Sequence, residues 1–210
     1  MKRLALLLAV LLAGMFAIPA PAQAAATTER QRIVGASAFA DFVYGEGEIV
    51  TYVNVIVNDT TVLVSPHPGG PEPNRFVSLS ISRYNQTTGE VYISAFGATE
   101  QQIQFTVARD LSTAHLAINL ELADLVNNRM TPASVDLTWH ATSARANEVG
   151  RTIYHEHGYV LVSTFNGAYR DSSAIGTIDC LGENVIPGFS SVAQIQDVRI
   201  GSLTVIAPTH

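Results

Sequence analysis

The chain has 210 residues, of which 47% are hydrophobic and only 14% charged, with a formal net charge of −6. Intrinsic disorder needs the opposite balance, low hydrophobicity with high net charge, and is excluded. A single cysteine excludes a small fold stapled by internal disulfides.

Residues 1–24 read as a secretory signal peptide. Lys2 and Arg3 open it, Leu4–Ile18 is an apolar run, and Ala22-Gln23-Ala24 after Pro19 and Pro21 supplies a small-x-small cleavage site. The run is shorter than the roughly 20 residues a membrane span requires, so the expectation is cleavage and a secreted or periplasmic protein of bacterial type. Lys2 is the only lysine, and with the signal removed the chain is more acidic still. Acidic net charge without a basic tract argues against nucleic acid as a partner and against membrane docking or insertion. Residues 25–210 read as one all-β domain.

From about Ile33 the dominant period is two, the pattern of half-buried strands. It predicts strands at 33–44, 48–57, 60–65, 77–82, 90–98, 103–107, 114–122, 135–139, 151–157, 159–170, 173–179 and 192–206. Ala114, Leu116, Ile118, Leu120 and Leu122 alternate with His115, Ala117, Asn119 and Glu121, which a helix would scatter around its circumference. The best helical candidate, Glu121–Met130, holds at most a turn. Strands joined by short turns without helices imply an antiparallel β-sandwich or an up-and-down β-barrel.

Two connections stand out. The run 65–75, with Pro66, Pro68, Pro71 and Pro73, reads as an exposed loop, because proline cannot donate to a sheet ladder. In Asn85-Gln86-Thr87-Thr88-Gly89, Gly89 suits the left-handed end of a three-residue bulged loop. Gln86 then faces Glu90, Ile81 faces Ala95 and Leu79 faces Gly97. That register places odd positions of both strands on one apolar face and sets Tyr84 opposite Tyr92 on the polar face, with Phe96 further along. These three aromatics are the candidate ligand-binding residues, a flat stacking platform. Asn58-Asp59-Thr60 and Asn85-Gln86-Thr87 match the glycosylation sequon and read as turns.

Catalytic signatures such as G-x-S-x-G, H-E-x-x-H and G-x-x-x-x-G-K-[ST] do not occur. His155-Glu156-His157 is the local cluster with chemical potential. On a strand, His155 and His157 share one face about 6–7 Å apart, a spacing at which two imidazoles can hold a divalent transition metal. His140 would join them if the chain turns back through 144–150 with paired residue numbers summing to an odd value. Cys180 lacks a neighbouring base and reads as a small buried hydrophobe.

Val135-Asp136-Leu137-Thr138-Trp139, Phe165-Asn166-Gly167-Ala168-Tyr169-Arg170 and Ala174-Ile175-Gly176-Thr177-Ile178 together resemble a pattern in exported β-rich bacterial proteins of unknown function. The resemblance implies export and β architecture, and no activity. The reading as a whole is an exported, non-catalytic binding protein for a glycan or a small apolar molecule, without a cofactor. One alternative is a metal-dependent enzyme using His155, His157 and His140. The other is an outer-membrane β-barrel, against which stands the absence of two aromatic girdles.

Overall fold

The computed structural model describes residues 27–65, 70–100, 102–156 and 159–206; residues 1–24, read above as a signal peptide, and the prolines Pro66 and Pro68 lie outside them. Its strands are β1 (Thr27–Glu46), β2 (Ile49–Ser65), β3 (Glu72–Asn85), β4 (Val91–Thr99), β5 (Gln104–Val107) and β6 (Thr113–Asp124). The second half supplies β7 (Arg129–Ala141), β8 (Ala146–Glu156), β9 (Tyr159–Cys180), β10 (Glu183–Asn184) and β11 (Val192–Ile206). Every pairing is antiparallel, and no helix occurs among the described residues. The fold is all-β.

Pairing runs β9-β11-β1-β2-β3-β4-β6, and β7 bonds both β6 and β9, so the circuit returns to its start. Inside it, alternate residues are buried as the period-two pattern requires. Phe42, Val55, Leu79, Leu116, Leu122, Leu137, Trp139 and Ile195 are almost fully enclosed, each worth about 1.5–3 kcal/mol of transfer free energy. The Trp139 indole N–H donates to the Phe39 carbonyl at 2.9 Å, tying β7 to β1 across the interior. The seam between β4 and β6 is short: Ala95 faces Asp124 and Phe96 faces Ala123.

Several predicted breaks are absent. The stretches 48–57 and 60–65 form one strand, because Asn58-Asp59-Thr60 is held across the sheet and does not turn. Asn58 donates to the Asn74 carbonyl at 2.8 Å, and Asp59 pairs with Arg75 at 2.8 Å. Likewise 159–170 and 173–179 are one strand, since β9 keeps β11 on one edge through residue 172 while its other edge changes partner. β7 and β8 do not form the hairpin expected through 144–150. They follow one another along the same edge of β9, β7 facing 172–180 and β8 facing 159–169.

The hairpin after β3 has the predicted register from Val77 to Arg83 and then slips. Asn85 accepts from the Thr87 and Thr88 amides at 2.8 and 3.0 Å, and its own amide donates to the Glu90 carbonyl. The loop is therefore residues 86–89, one longer than expected, and the register recovers through a bulge that leaves Tyr92 as the extra residue.

Gly176 lies where β9 crosses closest to β7: a Cβ there would sit 1.9 Å from the Asp136 carbonyl oxygen. Gly176→Ala should cost about 2–3 kcal/mol and lower the melting temperature by about 5–10 °C. Gly150→Ala, with its nearest atom 4.0 Å away, should be near neutral in the same calorimetric scan.

Asp124 caps the β6–β7 turn. It is buried and accepts from the Asn127 side chain at 2.8 Å and from the Val126 and Asn127 amides at 3.1 Å, so its pKa is held below the usual value. A lowered folded pKa stabilises above the unfolded pKa and is lost as pH falls through the folded one. Acid unfolding should begin below about pH 4, with a flatter acid limb in Asp124→Asn followed by circular dichroism.

Candidate functional site

The outward face of β1–β4 carries the densest set of exposed aromatics. On β3, odd residues fill the interior, so Ser78, Ser80, Ser82 and Tyr84 point outward. Across the ladder, Tyr52 on β2 faces Ser82, which faces Ser94 on β4, and Ser80 faces Phe96. A row of small serines is thus flanked by rings. Phe96 is 54% exposed, and Tyr52, Tyr92 and Val43 are also exposed.

The stacked partner of Tyr84 is Tyr52, not Tyr92. The two rings lie 5.9 Å apart at an interplanar angle of 10°. The bulge sets Tyr84 opposite Val91 and turns the Tyr92 hydroxyl to Glu90 Oε2 at 3.1 Å. The hydrogen bond with Tyr52 raises the Tyr84 pKa above the ordinary phenol value, and the bond to Glu90 raises that of Tyr92. Both hydroxyls stay protonated at neutral pH, and because the Tyr92 proton is already given to Glu90, that oxygen meets a ligand as an acceptor. Polar groups border the rings: Asn85 reaches Glu48 at 3.4 Å, and Glu90 lies beyond Tyr92. Tyr52 escaped the sequence reading because its place beside Tyr84 depends on which strand pairs with β3. Alternation within 48–57 gave its face but not its neighbour.

The histidines do not assemble. His140 on β7 faces Thr113 and Ser173, whereas His155 on β8 faces Val160. Ser173 and Val160 are odd and even positions of the same strand, so the two imidazoles occupy opposite faces. Along an extended β9 they are roughly 40 Å apart. This corrects the expected three-histidine site, whose premise was a β7–β8 hairpin. His157 lies outside the described residues, and among the described residues no cluster of three metal-ligating side chains occurs.

One pair escaped the sequence reading. His115 Nε2 meets Asp136 Oδ1 at 3.0 Å on the outward face of β6 and β7, both side chains well exposed. The residues are twenty-one positions apart, and only the β6–β7 register joins them.

The interior of the circuit is filled by side chains, with Trp139 and Phe42 fully enclosed. A shallow depression of about 410 Å³ opens to solvent over β6, β7 and β9, bordered by Glu121, Asp179 and Cys180. Cys180 itself is 1% exposed. Burial pushes its thiol pKa up, and the charges of Asp124 and Glu183 add to the shift. A protonated, enclosed thiol is a poor nucleophile. Native protein should therefore stay unlabelled by a thiol reagent at neutral pH and label once unfolded in guanidinium.

Comparison with protein-family models, with curated proteins and with solved structures returns no match.

Proposed function

We propose that this is an exported, non-catalytic binding protein whose outward aromatic face takes a flat-faced ligand, a glycan ring being the class. The carrying observation is the parallel Tyr52–Tyr84 pair, stacked with Tyr52 exposed and Tyr84 half-buried, on the same face as the exposed Phe96. Sugar rings present C–H faces to aromatic planes and hydroxyls at their rims, and an aromatic with a polar tip serves both. Ser80, Ser82, Asn85 and Glu90 supply donors and acceptors beside the rings. A small apolar molecule inside the ring is the weaker choice, because Trp139, Phe42 and the leucines already occupy that space. Nothing in the His140 and His155 positions favours metal chemistry.

Isothermal titration across soluble oligosaccharides, after a glycan-array screen, tests the reading. Tyr84→Ala should weaken binding about fivefold, the equivalent of roughly 1 kcal/mol for a stacking contact. Tyr84→Phe, which keeps the ring, should bind within about threefold of the native protein. A glycan that binds equally well to Tyr84→Ala and to Phe96→Ala would show that the face is not the site.

A further inference from the structure

The inward face of the ring does not stop where the ring closes. β1, β2, β9 and β11 run on past its mouth, and β8 joins them at the edge of β9. In this extension the inward positions form rows set by the ladder. Arg151, Thr164, Gly201, Arg32 and Leu63 face one another in turn across five strands, and the next row is Ile153, Val162, Leu203 and Arg30. Arg30, Arg32 and Arg151 are exposed, and none of them has an ion-pair partner among the described residues. Between them the surface is aliphatic: Val162, Leu203 and Leu63 are half-buried, Ile153 is exposed, and Val149 on the edge strand is 77% exposed.

The charge continues to the mouth. A depression of about 370 Å³ there is lined by Arg109, Arg145, Arg199 and Asp197. Arg145 and Arg199 share the single carboxylate of Asp197, at 3.4 and 3.0 Å, and Arg109 is exposed without an acidic partner among the described residues. The other anions nearby are already engaged. Asp59 pairs with Arg75 at 2.8 Å, and Asp110 caps its own loop through the Ser112 amide at 3.0 Å, with Arg170 close by. The opposite face carries Glu148 on β8 and Glu72 on the neighbouring β3, with no arginine among the described residues. A chain with 18 acidic and 12 basic residues thus places Arg30, Arg32, Arg109 and Arg151, which have no ion-pair partner among the described residues, on one face.

We propose that this face docks on an anionic lipid surface. Guanidinium groups bind phosphate oxygens in a two-pronged fashion, and Arg32 and Arg151 stand about 14 Å apart across three strand spacings, so they reach separate headgroups. The exposed aliphatics between them meet the headgroup–acyl boundary, where apolar burial adds to the electrostatic attraction. A single-stranded nucleic acid would call for a run of aromatic rings to stack on, and the described inward positions of the extension carry no Phe, Tyr or Trp, with His155 the one imidazole among them. The docking face is separate from the aromatic one and stands whether or not that one binds glycans.

Co-sedimentation with vesicles tests this directly, using the protein without its signal peptide. It should pellet with phosphatidylcholine vesicles containing phosphatidylglycerol, stay in the supernatant with pure phosphatidylcholine, and be released by high salt, which screens exposed charges. The triple change Arg30→Glu, Arg32→Glu and Arg151→Glu should lower the partition coefficient by more than tenfold. Arg30→Lys, Arg32→Lys and Arg151→Lys together should keep most of the binding, which separates charge from folding, as should an unchanged melting curve. Tyr84→Ala should bind vesicles like the native protein. Failure to pellet with phosphatidylglycerol vesicles, equal pelleting with neutral ones, or full binding by the glutamate triple overturns the proposal. Capture by a sulfated polysaccharide without vesicle binding also overturns it and moves the face to a different class of polyanion.

Discussion

The change of partner along β9 governs the rest of the structure. Residues 172–180 bond β7 and complete the circuit, while 159–169 bond β8 and leave it. One continuous strand therefore belongs to a closed, filled ring at one end and to a sheet extension at the other. A backbone in a ring has its donors and acceptors met on both edges. At β8 the outer edge is left without a neighbouring strand among the described residues. This single crossover point gives the molecule a rigid body and, beyond it, a broad surface whose side chains have no opposing layer.

The two surfaces differ in what they offer because they lie on opposite sides of the sheet. The ring's outward face inherits the polar half of the alternation, so its exposed tyrosines and Phe96 sit among serines and amides. The extension's inward face mixes aliphatic residues with arginines, while its outward face holds Ile33 and Val198 buried. Inside the ring the inward positions are packed against one another, but past the mouth the same parity presents Ile153, Val162, Leu203 and Leu63 with arginines between them. Glycines make the close strand approaches possible. A Cβ at Gly35 would lie 2.2 Å from the Asp59 carbonyl oxygen, and one at Gly97 would lie 2.5 Å from that of Glu121, beside the short β4–β6 seam.

The hairpin at 77–99 shows how far local reasoning reaches. Alternation fixed which residues face inward, and the pairs Leu79–Gly97 and Ile81–Ala95 are those expected. The slip at Tyr84 came from one side chain, Asn85, capping the Thr87 and Thr88 amides and lengthening the loop. That one-residue difference moved Tyr92 into a bulge and gave Tyr84 to Tyr52. The sequon at Asn58 errs in the other direction. Asn-Asp-Thr has turn propensity, but Arg75 and the Asn74 carbonyl on the adjacent strand hold it extended. Propensity was overridden by a neighbour that the local sequence does not contain.

The sequence by itself determined the class of the fold, the inward and outward assignment of most strand positions, and the burial of Cys180, since period-two alternation and side-chain polarity act within a few residues. Tertiary structure alone decided how the strands join, why His140 and His155 stand apart, why Tyr52 and Tyr84 stack, and where the arginines gather. Each of these depends on which strand lies beside which, a contact between distant residues that no local pattern encodes. Net charge shows the same limit. A sum over the chain reads acidic, while the ladder brings Arg30, Arg32 and Arg151 onto one face, so the local field of that face differs in sign from the net charge.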